Sequence, residues 1–292
     1  MTKTLKPIHM WAILIGLSII WGSSFILIKK ALEVYTPLQI GALRVSISAI
    51  CFVPILAWRY ARFRWDKWKF YLVVAFCGSG IPSFLFPFAQ THIESGVAGI
   101  LNALTPLATL ILGVVVFGKL FRKNYLIGIV VGFLGVLLLS INDLMAMGLP
   151  GLIFYIFIIL ATLCYGTSVN TVDSFLKEVD SVTLSASTFV LLGPFAITYL
   201  FSTDLSYRFY EIEGGQQALL YIALLSFFGT FLSTMVFFYV VHKTNAVFSS
   251  LVAYMIPIVA LFWAYYFGEA IGLMELGGML CILIGIYLSR NY

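Results

Sequence analysis

The sequence predicts an all-α membrane protein in which ten transmembrane helices form two inverted five-helix repeats. Three observations lead to this fold class. The chain of 292 residues is 62% hydrophobic and only 10% charged, whereas a globular domain is typically about half apolar and about a quarter charged. Its apolar residues fall in long, unbroken runs, and short patterns of the first half return in the same order in the second half.

The apolar runs decide between membrane architectures. Each is about as long as the roughly 20 residues that a helix needs to cross the hydrocarbon core, and none shows the alternation of a membrane β-strand. Ten such helices leave no room for a large soluble domain or a nucleic-acid-binding surface. The second run contains one charge, Arg44, and the tenth carries Glu275. The runs cover residues 9–28, 37–57, 70–91, 95–117, 124–142, 150–172, 181–202, 217–241, 245–267 and 271–289.

The basic residues predict which side of the membrane each loop faces. Cytoplasmic loops are enriched in lysine and arginine, and a cytoplasmic N-terminus puts thirteen basic residues on that side and three outside. We therefore predict a multi-pass protein of the cytoplasmic (inner) membrane, surrounded by lipids, with both termini in the cytoplasm. The cytoplasmic set is Lys3, Lys6, Arg59, Arg62, Arg64, Lys67, Lys69, Lys119, Arg122, Lys123, Lys177, Lys243 and Arg290; the outer set is Lys29, Lys30 and Arg208.

The two halves of the chain repeat a series of short patterns. Trp21-Gly22-Ser23-Ser24 in helix 1 matches Tyr165-Gly166-Thr167-Ser168 in helix 6, and Pro106 in helix 4 matches Pro257 in helix 9. No single match is specific, but their order and nearly constant spacing indicate a duplication. The other matches are residues 36–39 with 180–183, His92 with His242, Gly118-Lys119 with Gly268-Glu269, and Gly128 and Gly135 with Gly278 and Gly285.

The duplication predicts two domains, residues 9–142 and 150–289, with five helices each. Because five is an odd number, the second domain enters the membrane from the opposite side and the two copies are inverted. Inverted repeats have two near-equivalent arrangements, one open to each side, with a binding site at their interface near the membrane midplane. The duplication therefore predicts a secondary transporter that works by alternating access.

The order of these motifs resembles a known family. The chain has an early Trp-Gly-Ser-Ser-Phe, Arg44 within Ala-Leu-Arg-Val, a proline in helix 4, a Gly-Lys or Gly-Glu pair and a glycine-spaced fifth helix. It is similar in this to the EamA-like members of the drug/metabolite transporter superfamily, which have two tandem EamA domains. The resemblance covers nearly the whole chain and implies ten helices and export of small metabolites, often amino acids. Lys119 stands where the pattern usually has glutamate, and the second half has no counterpart of Arg44.

Pro106 and Pro257 are the best indication of a binding site in the sequence. Each lies roughly 16–18 Å into its helix, which is near the midplane. Because a proline has no N–H, the carbonyls of Asn102 and Ala253 lose their helical partners and become available to a polar substrate. A proline can also simply kink a membrane helix, but the matched pair favours a cavity.

Polar and aromatic side chains extend this prediction to neighbouring helices. Ser79, Ser83, Phe86 and Gln90 share one face of helix 3, and we expect polar groups of this kind to orient a substrate among aromatic rings. Serine and threonine also join membrane helices to one another, which is the alternative for each hydroxyl. The predicted substrate-binding residues are Trp21, Ser24, Phe86, Gln90, Asn102, Thr105, Pro106, Tyr165, Ser233, Phe237, Tyr254 and Pro257.

Missing groups argue against several other functions. No carboxylate lies at mid-depth, which disfavours a carboxylate proton relay. Arg44 either binds a carboxylate substrate or extends to the outer lipid headgroups, and we favour the second interpretation. The loops hold no catalytic constellation, so we expect no enzyme. The four cysteines form no CxxC pair, and we expect neither a metal nor a cofactor.

Two functional hypotheses follow. The first is an alternating-access exporter of small metabolites such as amino acids. The second is a non-transporting membrane scaffold or a lipid-acting membrane enzyme. Glycines in helices 5 and 10 predict smooth surfaces that serve as close-packing ribs or as the face of a homodimer. The sequence leaves open the substrate, the direction of transport and the coupling ion.

Overall fold

The computed structural model describes residues 7–59, 62–120 and 123–289, and the regular structure of these residues is entirely helical. The predicted all-α fold is therefore confirmed. Lys3, Lys6, Arg122 and Arg290, which entered the orientation prediction, lie outside the described residues. The ten long helical segments are α1 (Pro7–Ala31), α2 (Pro37–Arg59), α3 (Trp65–Ala89), α4 (Ser95–Val115), α5 (Lys123–Met147), α6 (Leu149–Phe175), α7 (Ser181–Phe201), α8 (Gly215–Lys243), α9 (Ala246–Tyr266) and α10 (Leu273–Ser289), and a short helix, Leu205–Tyr210, precedes α8.

Eight of these segments, within the part of the chain that is described, are long and apolar enough to cross a membrane. The other two are α5 and α10, which contain shorter apolar stretches at Val130–Leu139 and Leu273–Gly285. The chain is therefore a multi-pass membrane protein, and the count of ten spans stays a prediction.

Corresponding helices of the two halves pack against each other in opposite directions. Gly96 of α4 lies beside Ala264 of α9, and Gly99 lies beside Ala260, so residue numbers rise along one helix as they fall along the other. The same antiparallel pairing joins α2 to α7 and α5 to α10. The contacts that show it are Ala49 with Gly193, Phe52 with Phe189, Gly132 with Gly285, and Gly135 with Ile282. The structure therefore has the inverted repeats that the sequence predicts.

The histidines that end the third helix of each half lie at opposite ends of the molecule. His92 precedes the start of α4, and His242 precedes the start of α9. Because α4 and α9 are antiparallel, these two starting points are at opposite ends of the helix pair.

Equivalent side-chain caps begin α2 and α7. The amide N–H of Gln39 donates to Thr36 Oγ1 at 3.2 Å, and the Gln39 side chain accepts from the Thr36 amide at 3.0 Å, which is a capping box. At α7, Asp180 accepts from the Thr183 amide at 3.1 Å and from the Thr183 hydroxyl at 2.6 Å. The matched segments 36–39 and 180–183 therefore have the same structural role.

Replacing Asp180 by alanine is expected to destabilise the fold by about 1 kcal/mol, the usual value of a helix cap. Burial raises the pKa of this carboxyl, but hydrogen bonds from Thr183 and the positive charges of Arg59 and Arg62 outweigh it and hold the pKa below its usual value. Because the pKa is lower in the folded state than in the unfolded state, the ionised carboxylate is the form that stabilises the fold. The difference in melting temperature between the wild type and Asp180→Ala should therefore be at its full size at neutral pH. It should shrink as the pH falls below about 4. Asp66→Ala, at a more exposed ion pair, serves as the control, and an equal loss there would contradict the assignment.

Four helices are interrupted at positions that correspond between the halves. α3 contains a π-helical segment at Phe76–Gly80, and α8 contains one at Phe227–Leu232. α4 has a turn just before Pro106, and α9 has a 3-10 segment, Leu251–Tyr254, just before Pro257. Irregular backbone at membrane depth is tolerated where it is buried in protein or lines a cavity, so these interruptions indicate the centre of the bundle.

The glycines of α5 and α10 pack against one another inside the chain. A Cβ added to Gly285 would lie 2.6 Å from the carbonyl oxygen of Gly128, and one added to Gly135 would lie 2.8 Å from that of Gly278. They are therefore close-packing ribs between two helices. The surfaces of Gly132, Gly135, Gly278 and Gly285 are covered by the partner helix of the same chain, whereas a Cβ added to Gly277 would have no atom within 4 Å. The homodimer stays a prediction.

Candidate substrate cavity

A cavity of about 110 Å³ lies between the two halves, with walls from α1, α2, α3, α4, α6, α8 and α9. Most of its lining is apolar, and the polar lining is made of hydroxyls, one amide and one guanidinium. Seven of the twelve predicted residues line it, namely Trp21, Ser24, Phe86, Asn102, Thr105, Tyr165 and Phe237. The other five, Gln90, Pro106, Ser233, Tyr254 and Pro257, do not line it.

The repeated Trp-Gly-Ser-Ser and Tyr-Gly-Thr-Ser motifs form equivalent walls. A Cβ added to Gly229 in the π segment of α8 would lie 2.9 Å from Ser24 Oγ. In the other half, a Cβ added to Gly78 in the π segment of α3 would lie 2.6 Å from Ser168 Oγ. Each serine therefore sits in close contact with a glycine of the opposite half.

Trp21 is held in place by α8. Its indole Nε1 donates to the carbonyl oxygen of Gly229 at 2.9 Å and to Ser233 Oγ at 3.0 Å, and its ring packs edge-on against Phe237. Ser233 therefore orients Trp21 from behind and does not face the cavity. The indole presents its apolar surface to the cavity, while its one donor is already satisfied.

The interruption before Pro106 produces a different polar group from the one expected. The carbonyl oxygen of Asn102, which the proline frees from the helix, accepts a hydrogen bond of 2.7 Å from Thr105 Oγ1. The side-chain Oδ1 of Asn102 is buried and has no partner among the described residues. The acceptor that remains available is therefore the amide side chain, and Pro106 acts by shaping α4.

Gln90 has a structural role at the end of α3. Its Nε2 donates to the carbonyl oxygen of Phe25 at 2.8 Å, which ties α3 to α1. It shares a helix face with Ser79 and Phe86, which line the cavity, but it lies about 16 Å along the helix from Ser79. The face is as predicted, and Gln90 lies beyond the cavity along it.

Arg44 is the functional candidate that the sequence interpretation misplaced. Its side chain is buried and lines the cavity, and Nε donates to Thr230 Oγ1 at 2.8 Å. The interpretation that it extends to the outer headgroups is therefore wrong. A signal was present in the sequence, because Ser48 follows one turn later. The hydroxyl of Ser48 donates to the carbonyl oxygens of Arg44 and Ser226, so this face of α2 is joined to α8.

Polar contacts join helices at both ends of the cavity region. At one end, Glu269 after α9 accepts from the amide N–H groups of Ser95 and Gly96, at 3.1 and 3.0 Å, and so caps α4. At the other end, Lys119 after α4 donates to Asn170 Oδ1 and pairs with Asp173 of α6, both at 2.9 Å. Lys119 and Glu269 follow matching glycines, and both contacts cross between the two halves.

Comparisons with known proteins agree with this architecture. A relative from Archaeoglobus fulgidus, described only as an uncharacterized transporter, is 25% identical over 279 residues, which is 95% of this chain and 97% of that protein. A solved crystal structure at 14% identity shares the fold, with a TM-score of 0.64 over 97% of this chain and 98% of the other. The model of the EamA-like transporter family matches residues 8–141 and 152–291. The chain therefore belongs to the EamA-like transporter family and is a membrane transporter.

Proposed function

We propose that this protein is a secondary transporter that works by alternating access and exports small metabolites such as amino acids. The observation that supports it best is the central cavity between two inverted halves, with walls from both. A site in this position can face either side of the membrane when one half moves against the other. The moving units are the predicted domains, residues 9–142 and 150–289.

The contacts at the two ends suit such a mechanism. The hydrogen bonds from the start of α4 to Glu269 close one end of the cavity region. The ion pair between Lys119 and Asp173 closes the other end. Under the predicted orientation in the inner membrane, with cytoplasmic termini, the Glu269 contact is on the outer side and the Lys119 contact is on the cytoplasmic side. Each is a small set of polar bonds that water can replace, so either can open at modest cost.

The chemistry of the cavity supports a small substrate with a substantial apolar part. Aromatic rings such as Trp21, Phe86 and Phe237 supply apolar surface, and Asn102 Oδ1 supplies an unpaired acceptor. Binding sites for small molecules typically combine an apolar wall with a few placed polar groups that fix orientation. No observation favours the alternative, a membrane scaffold or lipid-acting enzyme.

Transport by the purified protein in proteoliposomes tests the proposal. Vesicles are loaded with a panel of radiolabelled amino acids, and their release is followed with and without the protein. We expect release of some members that saturates with concentration. If no amino acid in the panel moves faster than in empty vesicles, the proposed function is wrong.

Trp21→Ala or Asn102→Leu is expected to lower the transport rate at least about tenfold, while expression stays within about twofold. Each substitution removes contacts between the cavity wall and the substrate, and a tenfold fall in rate corresponds to a loss of about 1.4 kcal/mol. Trp58→Ala, at a tryptophan that is 81% exposed, is the matched control and should leave transport unchanged. Initial transport rates normalised to protein in the vesicle provide the measurement. An equal fall of rate and expression would make both residues packing residues.

A further inference from the structure

Arg44 places a positive charge in the cavity without a negative partner. Its side chain is buried, and it takes part in none of the ion pairs found among the described residues. Burying a charge costs several kcal/mol unless it is paired, and cations within membrane spans usually face a cavity and mark a substrate path. Because the described residues supply no negative partner, a ligand in the cavity is the natural source of one.

The neighbours of Arg44 orient it but do not neutralise it. Nε donates to the hydroxyl oxygen of Thr230 at 2.8 Å, and the guanidinium also lies within hydrogen-bonding reach of the Tyr165 hydroxyl. Both partners are uncharged. A guanidinium has five N–H donors in one plane, so these contacts fix its plane and leave donors for a ligand in the cavity.

The other half of the chain supplies no compensating charge. The position that corresponds to Arg44 is Thr188, whose buried hydroxyl donates to the carbonyl oxygen of Leu184. Two carboxylates that contact cavity-lining helices are already engaged, since Asp173 pairs with Lys119 and Lys177, and Glu269 caps α4. The described side chains therefore leave the cavity with one unpaired cation.

We propose that Arg44 binds the carboxylate of the substrate, so that the protein accepts small carboxylates with an apolar body and rejects the corresponding amines and amides. Arginine pairs with carboxylates through two parallel N–H···O bonds, which fixes orientation as well as charge. The aromatic walls formed by Trp21, Phe86 and Phe237 receive the apolar body. The inference rests on the proposed function only in calling this ligand the transported one.

Ligand-induced thermal stabilisation of the full chain in detergent tests the inference without requiring transport. Four probes share one apolar body: leucine, isocaproate, leucinamide and isopentylamine. We expect leucine and isocaproate to raise the melting temperature in a saturable manner, and leucinamide and isopentylamine to leave it unchanged. If the amide or the amine stabilises as well as leucine does, or if neither carboxylate stabilises, the inference is wrong.

Variants of Arg44 locate the effect. Arg44→Gln should weaken leucine and isocaproate binding about 30-fold or more, as expected for one partner removed from a desolvated charge pair. Arg44→Lys keeps the charge but not the paired donors, and should weaken both about tenfold. Thr230→Val removes the acceptor for Arg44 Nε and should selectively weaken carboxylate binding. It tests the same assignment if Arg44→Gln does not fold. Lys30→Gln, at a surface ion pair with Glu33, should bind like the wild type.

The outcomes separate this inference from the proposed function. Vesicles that move isopentylamine as fast as leucine would leave a transporter in place and overturn the role of Arg44. Stabilisation by carboxylates in detergent that depends on Arg44, together with no movement across vesicles, would support the site and overturn transport. Carboxylate stabilisation that is unchanged in Arg44→Lys and Thr230→Val would overturn the assignment of the site to Arg44.

Discussion

Gly166→Ala is expected to destabilise the protein by about 1–3 kcal/mol, the usual cost of forcing atoms into a packed interface. A Cβ at this position would lie 2.9 Å from the backbone nitrogen of Thr109 and 3.0 Å from the carbonyl carbon of Ala108. Both atoms belong to backbone just after Pro106, which cannot turn aside as a flexible side chain would. The added methyl must push α6 away from α4 and displace Tyr165 and Ser168 from the cavity.

Melting temperature in detergent and transport rate in vesicles measure this effect. Gly16→Ala in α1 is the matched control, because a Cβ there has no atom within 4 Å. The control should be as stable as the wild type or slightly more so, since alanine restricts the unfolded chain more than glycine. If Gly166→Ala has the same melting temperature as the control, the close approach of α6 to α4 is not required for the fold.

Lys119→Met is expected to shift the protein towards the state that is open at the end where Lys119 lies. Of the two lysines that pair with Asp173 among the described ion pairs, Lys119 is the one from the other half of the chain, and the Asp173 side chain is only 10% exposed. Its loss leaves a mostly buried carboxylate with Lys177 as its remaining partner. Since Lys119 is 36% exposed, we expect a modest effect of about 1–2 kcal/mol, which corresponds to a factor of about 5–30 in population.

Thiol labelling reports this shift. In a background without Cys51, Cys77, Cys164 and Cys281, Ser168→Cys places one thiol on the cavity wall. A membrane-impermeant reagent applied from the Lys119 side should label it about 5–30 times faster in Lys119→Met. Lys177→Met, which removes a more exposed partner of the same carboxylate, should change the rate less than about twofold. Faster labelling from the opposite side would contradict the gating role.

The features of the fold that depend on local chemistry could be predicted from the sequence. The apolar runs placed the helices within a few residues, because the length needed to cross the hydrocarbon core is fixed. The matching segments 36–39 and 180–183 begin α2 and α7 with caps of the same kind. Pro106 and Pro257 marked the interruptions of α4 and α9, since proline removes a helical donor.

The roles of individual side chains depended on which helices meet, which the sequence did not specify. Gln90 lies on the predicted face of α3 but bonds to Phe25 beyond the cavity. Ser233 bonds to the indole of Trp21 and is thereby turned away from the cavity. Arg44 was expected to reach lipid. Its partner, Thr230, comes from a helix of the other half, so the sequence near Arg44 does not reveal it. Each of these roles is decided by a contact distant in sequence.

The unequal pair Arg44 and Thr188 shows what fusion of the two copies into one chain makes possible. A dimer of two identical first halves would carry two guanidinium groups, one from each copy. Tandem copies can diverge independently, and here only one of them carries the cation. The cavity between two similar halves is therefore charged on one side only, so that a ligand with one charged end can lie in the cavity in a single orientation.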